Sequence, residues 1–182
     1  MQVKSMEEKE MQILCQGVGE LVLLASAIDS QLTKAVIMAC LITVTPLLEP
    51  IVAELDARTK IEILRAISKH IRQTDWSKGI TKWAEKVEKV NSYRNIVAHH
   101  TVAMSDGGLI LYSAQARKLL RSIKDSKLAP PKNINEINKW VAAARETAGQ
   151  GQTVLANLHK FTEKQANAKQ KKRGLRHSSL FS

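Results

Sequence analysis

The sequence predicts an all-α protein, an antiparallel bundle of four to five helices. Two observations carry that expectation. Apolar residues recur at spacings of three and four through several long stretches, the period of a helix with one face turned to a core. The composition also avoids helix breakers, with 8 Gly and 4 Pro in 182 residues and an abundance of Ala, Leu, Lys, Glu and Gln. An apolar content of 44% with 25% charged residues fits a soluble globular chain. The length suits one domain that buries a sizeable core.

The first element runs from about Met6 to Ile42. Ile13, Gly17, Leu21, Leu24, Ile28, Leu32, Val36 and Ala39 mark its stripe, and Val22, Leu23 and Ile37 add a second apolar side. Gly17 and Gly19 weaken the helix locally and are a place for it to divide. Pro46 and Pro50 enforce a connection. A second helix is expected from Glu54 to about Gln73, with Ile61, Leu64, Ile67 and Ile71 in register and Asp56 near its start. Asp75 suits the N-cap of a third helix that runs from Trp76 to about His99.

Beyond His100 the texture changes. Thr101 to Met104 and Leu109 to Tyr112 flank Ser105-Asp106-Gly107-Gly108, which reads as a short hairpin or as a loop without a ladder. A short helix over Ser113 to Lys124 and a stiff linker at Leu128 to Lys132 follow. The last helix spans about Ile134 to Ala166, with Ile137, Trp140, Val141, Ala144, Ala148, Leu155, Leu158 and Phe161 on its stripe and Gly149 and Gly151 interrupting its middle. The helical domain thus covers residues 1–166. Residues 167–182 are left as a basic tail, expected to be disordered.

The formal net charge is +11, of which Lys164 to Ser182 supplies +6 without one acidic residue. Such a balance points to an acidic partner, nucleic acid among them. The residues from Met1 to Met11 lack the apolar core of a secretory signal, and the longest unbroken apolar run, Ala35 to Ile42, is too short to span a bilayer. With Cys15 and Cys40 far apart along one helix, a reduced, cytoplasmic setting without membrane contact is the expectation. No Cys/His or carboxylate cluster has the spacing of a metal site, and neither a nucleophile elbow nor a dinucleotide fingerprint is present, so no cofactor is expected. Asp106 with Gly107 and Gly108 reads as a turn, and Trp76, Trp83 and Trp140 sit on stripes as core residues.

One segment breaks its own pattern. Up the third helix, Trp76, Ile80, Trp83, Val87 and Val90 hold the stripe, but its next position is Arg94, followed by Val97. A guanidinium keeps its charge at physiological pH, and an unpaired buried charge costs several kcal/mol. A carboxylate such as Asp29 or Glu20, a bound anion or a wet groove must compensate it. Asn95 and His99 lie beside it, one helical turn apart.

Arg94, the polar Asn95 and His99 at the close of a bundle helix resemble the signature of the HEPN family (higher eukaryotes and prokaryotes nucleotide-binding). The likeness extends over about Met6 to Ala166 in the order of helices. It implies a homodimer in which two motif helices meet at one cleft. It further implies a metal-independent endoribonuclease acting on RNA, in a toxin or defence setting with an antitoxin or regulatory partner. In that reading His99 moves protons, Arg94 stabilises charge on the phosphate, and Asn95 orients His99 or binds a phosphate oxygen. Some toxin members have a Tyr two residues after the His; here His100 and Thr101 follow His99, so that mode of control has no counterpart. Other members keep the fold as non-catalytic modules that bind RNA, nucleotide or protein.

Overall fold

The computed structural model describes residues 2–41, 48–105, 108–113 and 132–178. It is mostly helical: α1 (Gln2–Ala39), α2 (Leu48–Glu54), α3 (Ala57–Ser68), α4 (Thr74–His99) and α5 (Ile134–Ser178). Strands β1 (His100–Ser105), β2 (Gly108–Ser113) and β3 (Lys132–Asn133) form a small antiparallel sheet in that order. The hairpin register runs from His100 opposite Ser113 to Ser105 opposite Gly108, and β3 pairs Asn133 with Ile110. Ser113 is therefore the last residue of β2, and the short helix and stiff linker expected after it lie outside the described residues.

By internal contacts the chain forms two compact units, each assembled from separated segments. One comprises Met1–Ile28 and Lys86–Ala148, the other Asp29–Glu85 and Gly149–Ser182.

In the first unit the early part of α1, the last turns of α4 and the start of α5 share a core that includes Leu14, Leu21, Val87, Val90, Ile137 and Ala144. The inward face of α1 carries Leu14 and not Ile13, which is exposed together with Val22 and Leu23. The expected second buried side of this helix is thus absent here. Gly17 does not divide α1. A Cβ at that position would stand 3.0 Å from Ile137 Cγ2, so the missing side chain is what lets α1 approach α5. Arg145 on α5 donates through Nε to Glu20 Oε1 on α1, and Lys86 Nζ on α4 lies 2.7 Å from Glu146 Oε1 on α5. The stretch Glu8–Ala39 has the length and apolar composition to cross a bilayer, although its longest unbroken apolar run is short. The same helix supplies core leucines and the paired Glu20.

In the second unit the rest of α1 packs with α2, α3, the start of α4 and the rest of α5. The helix expected over Glu54 to Gln73 is α3, shorter at both ends, and α2 is a further helix ahead of it. Pro50 falls in the first turn of α2, where a missing N–H is tolerated, and Asp56 ends that helix by capping the next. The Asp56 carboxylate accepts from Thr59 N at 2.6 Å with extended backbone at the cap. α3 ends at Ser68, whose carbonyl accepts from Ser77 Oγ of α4 at 2.8 Å.

Two features of this unit lead to predictions. The hydrogen bond from Thr59 holds the fully solvated Asp56 carboxyl below its ordinary pKa. A lowered folded value means the cap's contribution is complete above the unfolded pKa of about 3.9 and fades as pH falls through the folded value. The stability gap between the native chain and Asp56→Ala is therefore expected at neutral pH and to close in acid, checked by urea melts across pH 2 to 7. The second feature is the contrast between two helical glycines of α5. A Cβ at Gly151 would overlap the buried Gln31 side chain and meet Trp83 Cζ2 at 3.0 Å, whereas one at Gly149 would meet nothing within 4 Å. Gly151→Ala is expected to destabilise by about 1–3 kcal/mol through overpacking. Gly149→Ala is expected to stabilise by about 0.5–1 kcal/mol. Thermal denaturation of the two variants reads both signs.

Lys60 on α3 is the most deeply buried charge described, 1% exposed, and its ammonium is fully engaged. Nζ donates to Asp29 Oδ1 and Oδ2 at 3.2 and 3.0 Å and to the Ala53 carbonyl at 3.1 Å. One side chain thereby ties α1, α2 and α3 together. α5 continues past the expected end at Ala166 as far as Ser178, because Ala, Gln, Lys and Arg are good helix formers.

Candidate functional site

Arg94, Asn95 and His99 belong to the last two turns of α4, within the first unit, and all three are exposed. The turns that carry them are fixed from behind. Val90 and Val97 point into the core, and the Tyr93 ring stacks on Trp140 of α5 with centroids 4.9 Å apart and planes 4° from parallel. His99 is the last helical residue, and His100 already pairs with Ser113 in the sheet, so no linker separates the motif from the hairpin.

The charge that breaks the stripe is resolved by solvent. Arg94 does not pair with a core acid, since Asp29 holds Lys60 and Glu20 holds Arg145. Among the described residues no carboxylate lies within ion-pair distance of Arg94. Its Nη1 instead donates to Asn95 Oδ1 at 3.1 Å. Arg94 therefore reaches water from a stripe that stays buried on either side of it, at Val90 and Val97.

Asn95 thus acts on Arg94, where the sequence suggested a bond to His99 or to a phosphate. Its carbonyl oxygen faces the guanidinium, so its amide N–H groups are directed elsewhere. Positions 95 and 99 lie on one face of the helix, while positions 94 and 99 are roughly 140° apart about its axis. Within one chain Arg94 and His99 flank Asn95 and do not converge on a point. His100 is half-buried with Nδ1 shielded from water. Among the described residues no three His, Cys, Asp or Glu side chains gather as a metal-ligand set.

What this surface offers chemically is a persistent cation with a planar fork of donors, an amide that restrains it and an accessible imidazole beyond. A guanidinium free of carboxylates is suited to an anionic oxygen pair. An exposed imidazole can donate or accept a proton through its ring nitrogens. The buried Lys60 tether and the packing glycines Gly17 and Gly151 escaped the sequence reading. Their only sequence signal is a charge directly before the apolar Ile61 and glycines inside otherwise helical runs. Compared with protein-family models, curated proteins and solved structures, the chain has no match.

Proposed function

We propose that the chain is a HEPN-like, metal-independent endoribonuclease that works as a homodimer. The observation that carries the reading is the Arg94 guanidinium held by Asn95 on an open face, free of any described carboxylate, with the accessible His99 one turn beyond.

The chemistry follows from those groups. An RNA 2′-hydroxyl attacks the neighbouring phosphorus as one His99 imidazole accepts its proton. Negative charge accumulates on the non-bridging oxygens, where the two-pronged Arg94 donors meet it. The bond to the 5′-oxygen breaks, and that oxygen takes a proton from an imidazolium, the second His99 of the dimer. The products are a 2′,3′-cyclic phosphate and a 5′-hydroxyl. A dimer supports this sequence because Arg94 and His99 occupy different faces of one helix, so a second motif helix supplies the group that one chain holds out of reach.

Labelled RNA incubated with the protein in EDTA tests the proposal, with Arg94→Ala and His99→Ala alongside. Cleavage by the native chain and its loss in both variants is the expected pattern. Cleavage that survives both substitutions contradicts it.

A second reading has support in the net charge of +11: a module of the same kind that holds RNA and leaves it intact. It predicts binding without cleavage, unaffected by His99→Ala.

A further inference from the structure

The end of α5 has properties that the motif does not explain. Among the described side chains of the helix Leu158 is the last buried one, and those of Glu163, Lys164, Gln165 and Asn167 are all exposed. Lys164 Nζ sits 5.4 Å from the Trp76 ring centroid of α4, anchoring this part of the helix. From there the backbone stays helical to Ser178, through Lys169, Lys171, Lys172, Arg173 and Arg176. At 3.6 residues per turn the positions of Lys169, Lys172, Arg173 and Arg176 share one face of the helix, and that of Lys171 lies on another.

Such a segment has little to hold it by itself. Lys169 with Arg173 and Lys172 with Arg176 are like charges at i,i+4, and Lys169 with Lys172 and Arg173 with Arg176 are like charges at i,i+3. Each pairing opposes helix formation, and no acidic residue follows Glu163 to offset them. Polyanion phosphates satisfy all of them together. The segment also lacks the apolar face with which an interfacial helix enters a membrane: between Lys164 and Ser178 the apolar residues are Ala166, Ala168 and Leu175.

We infer that the last turns of α5, from Lys164 to Arg176, form a binding site for the phosphate backbone of nucleic acid. This deepens the ribonuclease reading and rests on it for the choice of RNA as the natural ligand. The site grips phosphates and reads no sequence, while Arg94 and His99 act on the bond that is cut.

The test uses the full chain in the His99→Ala background, which keeps RNA intact. It is compared with the same chain carrying Lys169→Gln, Lys171→Gln, Lys172→Gln, Arg173→Gln and Arg176→Gln, a set that preserves helix propensity. Affinity for an RNA oligonucleotide, a DNA strand of the same sequence and phosphatidylcholine–phosphatidylserine vesicles is measured against salt. The expected result is about ten-fold or greater loss of affinity for both strands, with a salt slope shallower by up to about 3. Unchanged affinity and slope overturn the inference. So does vesicle binding as tight as nucleic-acid binding, which makes a membrane surface the partner. The two proposals fail separately. A native chain that binds with the expected slope but cuts nothing removes the ribonuclease and leaves this site. A native chain that cuts, with a glutamine variant that binds unchanged, does the reverse.

Discussion

Asp29→Ala is expected to destabilise the protein by about 3–5 kcal/mol, because it leaves the Lys60 ammonium buried without its counter-charge. Lys60 is 1% exposed, and its remaining acceptor is the neutral Ala53 carbonyl. The reverse substitution should be much milder. In Lys60→Met the orphaned group is Asp29, whose side chain is 44% exposed and can be hydrated, while the methionine fills most of the lysine's volume. A cost of about 1–2 kcal/mol, mainly for the lost donor to Ala53, is expected there. The double variant should recover much of the loss in Asp29→Ala, since the uncompensated charge is gone. Denaturant melts of the three variants measure this asymmetry. Against a total stability of about 5–15 kcal/mol, the first substitution alone should lower the melting temperature by roughly 10 °C or more. Equal costs for the two single variants would show that the pair's environment is less asymmetric than its exposures indicate.

His99→Ala is expected to reduce RNA cleavage by about 10²–10⁴-fold, the usual contribution of a positioned acid or base. Arg94→Ala should cost about 10²–10³-fold, comparable to losing one charge-stabilising donor group. Arg94→Lys separates charge from geometry. A point charge replaces the planar fork and loses the directed bond to Asn95 Oδ1, so most of the Arg94→Ala loss should persist. Asn95→Ala should have a smaller effect, because it frees the guanidinium without removing it. All three side chains are exposed, so folding should be unaffected. Rates measured together with melting temperatures distinguish lost chemistry from lost structure. A matching fall in stability in His99→Ala would point to a structural role for the imidazole.

The helical character and the position of the motif were legible because both depend on local rules. Ile80, Trp83, Val87, Val90 and Val97 are buried in α4 at the spacing the sequence displays, and the helix ends at His99. The sequence also showed that Arg94 needed compensation. It did not show which kind, because a stripe gives the direction of a face and not which of its positions a long side chain can leave for water. The same limit explains Ile13 and Leu14, neighbours of equal hydrophobicity, of which only Leu14 faces inward. Pro50 read as a connector, yet a proline in a first helical turn is compatible with α2, and the break falls at the capping Asp56 instead. Gly17 and Gly151 read as weak points, because propensity records what a glycine costs its own helix. Each stands where another helix comes close, information that lies in the packing alone. Lys60 was illegible for a related reason: a lysine at the edge of an apolar face is ordinarily solvated, and only the fold brings Asp29 and Ala53 to it.

Whether Arg94 and His99 turn a 2′-hydroxyl against its own phosphate is read from the ends of the products. An RNA oligonucleotide and its fully 2′-deoxy counterpart are incubated with the native chain in EDTA, and the ends are identified by mass spectrometry. RNA fragments with 2′,3′-cyclic phosphate and 5′-hydroxyl ends, and an untouched deoxy strand, are predicted. Cutting of the deoxy strand, 5′-phosphate ends, or RNA that stays whole at every protein concentration would contradict the account.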